Sequence, residues 1–237
     1  MELSVIDKTT TASQALSRVR GGSTIMIGGF GTPGTPFTLI SALIAHGAKD
    51  LTLVKNDANE PGIGISRIFE AGLATSFIVS HIGLNSTVVE LMNTGKIQVE
   101  FSPQGILAER IRAGGAGLMG IVTDIGIDTI LREKRRIVEV NGREAFFEPA
   151  LRADVALIHA AAADRLGNLV YAKSARNFNP LMAMAADLVI AEAEEIVAPG
   201  DLDPDQIHTP AAFVDHLVPI PEITKEYGVL AHHVLET

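Results

Sequence analysis

The sequence predicts an α/β protein built on an open, mostly parallel sheet with helices on both faces and an inserted β-hairpin. Short apolar runs recur along the 237 residues without strict polar alternation, the mark of strands covered on both sides. Helical patterns separate these runs. A hydrophobic content of 47% with 22 Gly but only 5% aromatic residues suits Val/Ile/Leu strands packed by Ala-rich helices. No linker, low-complexity tract or tandem repeat interrupts the chain, so it reads as one domain over 1–237, a size that a single core can serve.

The elements follow in order. Candidate strands are Thr24–Ile27, Leu51–Val54, Phe77–Ser80, Val99–Phe101, Gly120–Thr123, Val155–His159 and Leu188–Ala191. Thr35-Pro36 looks like an N-cap followed by a first-turn proline, opening a helix over Phe37–His46 that Gly47 closes. Ser102-Pro103 repeats that start for a helix through Ile106, Leu107 and Ile111, ending at Gly114-Gly115. A further helix begins near Asn179-Pro180 and runs through Leu181–Ala186. In Arg132 to Phe147, Asn141-Gly142 separates two β-rich runs, a hairpin signal; the basic cluster beside it reads as a solvated face.

Composition excludes several classes. A net charge of −9 and a pI near 5.2 leave no nucleic-acid footprint. Zero cysteine removes disulfides and thiol or Cys–zinc chemistry. The seven histidines show no ligand spacing, so no metal is expected; His232-His233 reads as solvated and His81 as a structural histidine at a pocket edge. No basic-then-apolar leader opens the chain and no apolar run approaches the ~20 residues of a membrane span, so a cytoplasmic protein is expected. Glu192, Glu194 and Glu195 read as a solvated acidic turn, and Arg176 as a tie between loops.

The most informative stretch is TIMIGGFGTPGTP, Thr24 to Pro36. An apolar strand gives way to Gly28, Gly29, Phe30, Gly31, Thr32, Pro33 and Gly34 and then to a helix. A loop short of Cβ atoms lets a ligand approach the main chain, and the helix start offers free N–H groups to an anion. By pattern alone a tight turn without a ligand is an equal account. Asn56 ends the second apolar run, at the strand end where open sheets gather ligands, though by residue type alone a turn is the better account. Asp57 and Asn59 are weaker neighbours. Gln104 sits on the first turn of its helix, where it is either incidental or aimed beyond the sheet.

Three apolar residues followed by GGF-x-x-x-G-x-P resemble the signature of family I coenzyme A transferases in the A (alpha) subunit form. The resemblance runs from about Ile25 to Val218, through Asn56, SPQGILAERIRAGGAG, DRLGNLVYAKSARNFNP and DLDPDQIHTP. The chain departs from the pattern at Gly21, and at Asp124 and Asp128 in TDIGIDT, which bears on substrate preference. The resemblance implies coenzyme A or acyl-thioester contact across Gly28–Gly34, and substrate contacts by Asn56 and Gln104. It also implies a glutamate nucleophile in a Ser-Glu-Asn-Gly segment of a B (beta) subunit. This chain has no such segment; Asn59-Glu60-Pro61-Gly62 is a poor match. No catalytic residue is therefore expected in the chain itself.

The implied reaction moves coenzyme A between an acyl-CoA and a carboxylic acid such as acetate or acetoacetate. It proceeds through a mixed anhydride and a glutamyl-CoA thioester on the partner. Coenzyme A is then a substrate, with no cofactor bound permanently, in a heterotetramer of two alpha and two beta chains. Three alternatives stand beside this reading: the alpha chain of a 3-oxoadipate CoA-transferase, a superfamily relative hydrolysing a carbon–carbon bond of a ring-opened acyl-CoA, and a non-catalytic nucleotide- or coenzyme-binding module.

Overall fold

The computed structural model describes residues 6–228. The first half alternates helix and strand: α1 (Ala12–Leu16), β1 (Thr24–Ile27), α2 (Phe37–His46), β2 (Leu51–Val54), α3 (Ser66–Glu70), β3 (Ala74–Val79), α4 (Ser86–Asn93), β4 (Gln98–Phe101) and α5 (Gln104–Gly115). The second half holds β5 (Gly120–Thr123), β6 (Arg136–Val140), β7 (Arg143–Pro149), β8 (Ala153–Asp164), β9 (Leu169–Val170), α6 (Asn179–Met184), β10 (Ala186–Val197) and β11 (His216–Pro219).

The main sheet runs β11-β10-β8-β1-β2-β3-β4 with every neighbouring pair parallel, and β9 adds antiparallel to β8. Period-two alternation sorts its side chains into two cores. Ile25, Ile27, Leu51, Leu53, Val155, Leu157, Leu188 and Ile190 pack against α1, α2, α3 and α4. Met26, Val54, Ala156, Ile158, Val189 and Ala191 face α5 and α6. Burial on both faces is why these strands read as continuous apolar runs.

The chain passes outward from β1 to β4 and then returns to lay β8 on the other side of β1. This reversal opens a crevice beyond the carboxyl ends of β1 and β8, the place where open α/β sheets take ligands. The glycine loop leaves β1 there, and the Gly28 N–H donates to the Leu157 carbonyl of β8 at 2.9 Å.

The structure corrects several expectations. β5 does not join the main sheet; it pairs with β7, and β5-β7-β6 form a separate antiparallel sheet of three strands. The hairpin itself stands, turning on Asn141 and Gly142 at φ +52° and +73°. Thr35 does not cap α2: the N–H groups it would receive, those of Phe37 and Thr38, donate to the Thr35 carbonyl and the Tyr227 hydroxyl, and the Thr35 hydroxyl itself donates to the Gly31 carbonyl at 2.7 Å. Ser102 does not cap α5 either: its buried hydroxyl has no hydrogen-bond partner among the described residues. The helix begun at Asn179 ends at Met184, since Ala186 already pairs with Ala153 in the sheet. His232-His233 lie outside the described residues.

Candidate active site

The glycine loop is held by neighbours that a side chain would displace. A Cβ on Gly28 would occupy the place of the Asn179 amide, one on Gly34 would strike the Ala175 carbonyl and that same amide, and one on Gly29, at φ +100°, would strike Thr35. Asn179 is fully buried and joins three segments. Its Nδ2 donates to the Gly34 carbonyl at 3.1 Å and the Ala175 carbonyl at 2.9 Å, while its Oδ1 accepts from the His159 N–H at 3.1 Å. Asn177 adds a bond from Nδ2 to the Pro33 carbonyl at 2.9 Å. These two asparagines tie the loops; Arg176, expected in that role, is exposed and makes no side-chain hydrogen bond or ion pair among the described residues.

Much of the loop's hydrogen-bonding capacity is used internally. The N–H groups of Phe30 and Thr35 donate to the carbonyls of Pro33 and Thr32, and that of Gly31 to Asp57 Oδ2 at 2.7 Å. Among the described residues, the N–H groups of Gly29, Thr32 and Gly34 meet no acceptor. Thr32 is the one of these that lines a cavity.

Below the loop, the end of β2 carries Lys55, Asn56, Asp57 and Asn59, all buried. Lys55 Nζ donates to the Gly31 carbonyl at 3.1 Å and lies 3.5 Å from Asp57 Oδ2. Asn59 Nδ2 donates to the same carbonyl at 2.8 Å. Asp57 also accepts from the Asn56 amide at 3.2 Å and the Asn59 N–H at 2.9 Å. Burial alone would raise the Asp57 pKa, but the Lys55 charge and these donors outweigh it and keep the carboxyl below its usual range. Burial pulls the Lys55 ammonium down, and Asp57 offsets only part of that. Asn56 is fully buried, with its Oδ1 accepting from the Ser80 hydroxyl at 3.0 Å. Its amide therefore fixes β2 to the loop after β3 and sits beneath the cavity wall.

Two depressions meet at the half-exposed ring of Phe30. The first, about 140 Å³, opens between the glycine loop and the ends of β2 and β3; Phe30, Thr32, Asp57, Asn59, Ile82 and Leu84 are among its walls. The second, about 200 Å³, is formed by Phe30, Gln104, Ala108, Asn177, Phe178 and Leu181. The structure thus brings Phe30 to both, and places Gln104 across Phe30 from the first. Gln104 is exposed, and among the described residues the N–H groups of Gln104, Gly105 and Ile106 at the start of α5 have no acceptor.

The start of α2 is different. Its anion is the protein's own: the Glu192 carboxylate accepts from the Leu39 N–H at 2.8 Å, and the Tyr227 hydroxyl accepts from the Thr38 N–H at 2.9 Å. Glu192 is fully buried within β10, not on a solvated turn. It also meets His159 Nδ1 at 3.1 Å and accepts from the Tyr227 hydroxyl at 2.6 Å, while Glu194 reaches His159 Nε2 at 3.0 Å. Burial alone would lower the His159 pKa, but the two carboxylates outweigh it and raise it. The free N–H groups expected at this helix start are therefore already engaged.

The family model for Coenzyme A transferase matches residues 9–219, from ahead of α1 to the end of β11. The chain belongs to the coenzyme A transferase family. It is 50% identical, over 89% of its length and 93% of the relative's, to the alpha chain of a probable coenzyme A transferase of Bacillus subtilis (strain 168). The corresponding chain of a 3-oxoadipate CoA-transferase of Acinetobacter baylyi is 46% identical over 91% of this chain and 96% of its own. The alpha chain of an acetate CoA-transferase of Escherichia coli (strain K12) is 44% identical over 89% and 96%. The fold matches an acyl-CoA transferase of E. coli O157:H7, solved as a thioester complex with CoA, at a TM-score of 0.84 and 23% identity. That match covers 94% of this chain and 49% of the longer one, so this chain spans about half its length.

Within this member of the coenzyme A transferase family, the departures at Asp124 and Asp128 line neither depression. Asp124 is exposed and pairs with Arg143 of the hairpin at 2.8 Å. Neither residue supports a carbon–carbon hydrolysis site at the glycine loop. Sequence reasoning passed over Lys55, although Lys and Asp two residues apart at a strand end share one face and can pair. Asn179 and Tyr227 gave no signal as site anchors, because the partners that tie them across the fold lie 20 or more residues away.

Proposed function

We propose that this chain is the alpha subunit of a short-chain acyl-CoA/3-oxoacid CoA-transferase, working in the cytoplasm with a beta subunit in a heterotetramer of two alpha and two beta chains. The observation that carries the reading is a site rich in donors with, among the described residues, no carboxylate built as a nucleophile. Asp57 is surrounded by Lys55 and three hydrogen-bond donors, and Glu60 sits exposed at the cavity edge without a buried cation to activate it. The relatives are named as alpha chains, which supports a partner that brings the glutamate.

In this reading coenzyme A enters as a substrate and no cofactor stays bound. The partner's glutamate attacks the thioester carbonyl, and the developing oxyanion is met by N–H donors of the Gly28–Gly34 loop, of which Thr32 is the one at the cavity. Lys55, Asp57 and Asn59 hold Gly31 in place so that these donors need no rearrangement. Gln104, with the N–H groups opening α5, receives the carboxylate of the acid. Asn56 positions Asp57 and the cavity floor.

The test is to purify the chain by itself or together with its beta partner, then follow coenzyme A exchange between acetoacetate and an acyl-CoA. The pair turns over and the lone chain does not. Robust turnover by the lone chain would return the nucleophile to this polypeptide, with Glu60 the first candidate.

A further inference from the structure

Relatives of similar identity are named for acetate and for 3-oxoadipate, one acid with a single carboxylate and one with two. The cavity beside the glycine loop separates these classes by its walls. Ala58 and Ile82 are buried, Ile63 is partly buried, and Phe30 and Leu84 stand at the mouth with 47% and 72% of their surface exposed. Its carboxylates are Asp57 and Glu60, and the exposed His81 imidazole is the one other titratable side chain in its walls. No Lys or Arg lines it among the described residues; Lys55 is fully buried beneath, held by the Gly31 carbonyl and Asp57.

We infer that this cavity receives the uncharged tail of the acid that gives up or accepts coenzyme A, and that the enzyme selects short apolar or 3-oxo monocarboxylic acids over dicarboxylic ones. The inference rests on the transferase reading above. A second carboxylate entering the cavity would lose its hydration among apolar walls and face Glu60 and an Asp57 whose cation, Lys55, is already engaged beneath it. A methyl or ethyl terminus has the opposite balance, because apolar surface leaves water. The size agrees: about 140 Å³ is close to the roughly 150 Å³ that holds a benzene-sized, six-carbon guest. Leu84 is the specificity-determining position, since it stands at the mouth and its side chain is free to change without disturbing the core.

The experiment uses the enzyme reconstituted with its beta partner and one acyl-CoA donor, with butyrate, acetoacetate, succinate and 3-oxoadipate as acceptors. We expect kcat/KM for the first two to exceed that for the dicarboxylates by at least about tenfold. Leu84→Lys places a cation at the mouth and should narrow the gap several-fold, by raising the dicarboxylates and lowering butyrate. Equal or reversed preference in the wild-type enzyme overturns the inference and leaves the transferase reading standing. So does a Leu84→Lys enzyme whose KM for the acyl-CoA donor rises equally with every acid, which would assign the cavity to the coenzyme arm. Absence of exchange with all four acids overturns the transferase reading itself, and this inference with it.

Discussion

Asparagine and glutamine carry much of the site, and their burial decides what each can do. Asn56 and Asn179 are fully buried with their amides bonded to the protein, so they hold shape. Gln104 is exposed on the opening turn of α5, beside N–H groups that meet no acceptor among the described residues. Gln104→Ala should therefore weaken recognition of the acid more than that of coenzyme A. Losing a hydrogen bond to a carboxylate costs roughly 1.5–3 kcal/mol, or about 10- to 150-fold. The measurement is kcat/KM for the acid acceptor, with KM for the acyl-CoA donor as control. A loss confined to the donor would mean that Gln104 serves the coenzyme.

At the scale of the element, the glycine loop is a turn that the rest of the fold has closed around. Gly29 at φ +100° lies against Thr35, whose hydroxyl holds the Gly31 carbonyl. Gly29→Val adds a β-branched side chain where positive φ alone costs roughly 1–3 kcal/mol. Thr35 must also shift, and with it the Gly31 carbonyl that Lys55 and Asn59 hold. Thermal unfolding should fall by several degrees, with 1 kcal/mol worth about 2–4 °C in a chain of this size, and transferase activity should be lost. Unchanged activity in a folded Gly29→Val enzyme would reduce the loop to a connector.

Across the whole molecule, the cluster around Glu192 joins four distant segments: β8 through His159, β10 through Glu192 and Glu194, the start of α2 through Leu39, and the last described turn through Tyr227. The carboxylates raise the folded-state pKa of His159 above 6.5. A group raised on folding contributes stability in full below its unfolded pKa, and that contribution is lost as pH rises through the folded value. Thermal stability should thus decline from about pH 6.5 upward, as the imidazolium between two carboxylates gives up its proton. His159→Gln should flatten this decline. Equal slopes for the two proteins, measured as Tm against pH, would remove His159 as its source.

The sequence by itself determined the central strands, because strands buried on both faces are largely apolar and stand out as runs; the short β9 and β11 at Leu169–Val170 and His216–Pro219 gave no such run. It also determined the glycine loop and the hairpin turn, since positive φ selects Gly and Asn locally. The family was legible for the same reason: its motifs are continuous strings. Only the tertiary structure decided what pairs with what. Whether Glu192 is a solvated charge or a buried anchor depends on the N–H of Leu39 and the ring of His159, far away in sequence and adjacent only once β8, β1 and β10 lie side by side. Gly120–Thr123 reads as one more strand, and its membership of a second sheet depends on the hairpin that captures it. Capping by Thr35 failed because the N–H groups it would receive, those of Phe37 and Thr38, found other acceptors, one of them the distant Tyr227. Local chemistry fixes which conformations a segment can adopt; long-range packing fixes which of its polar groups remain free to act.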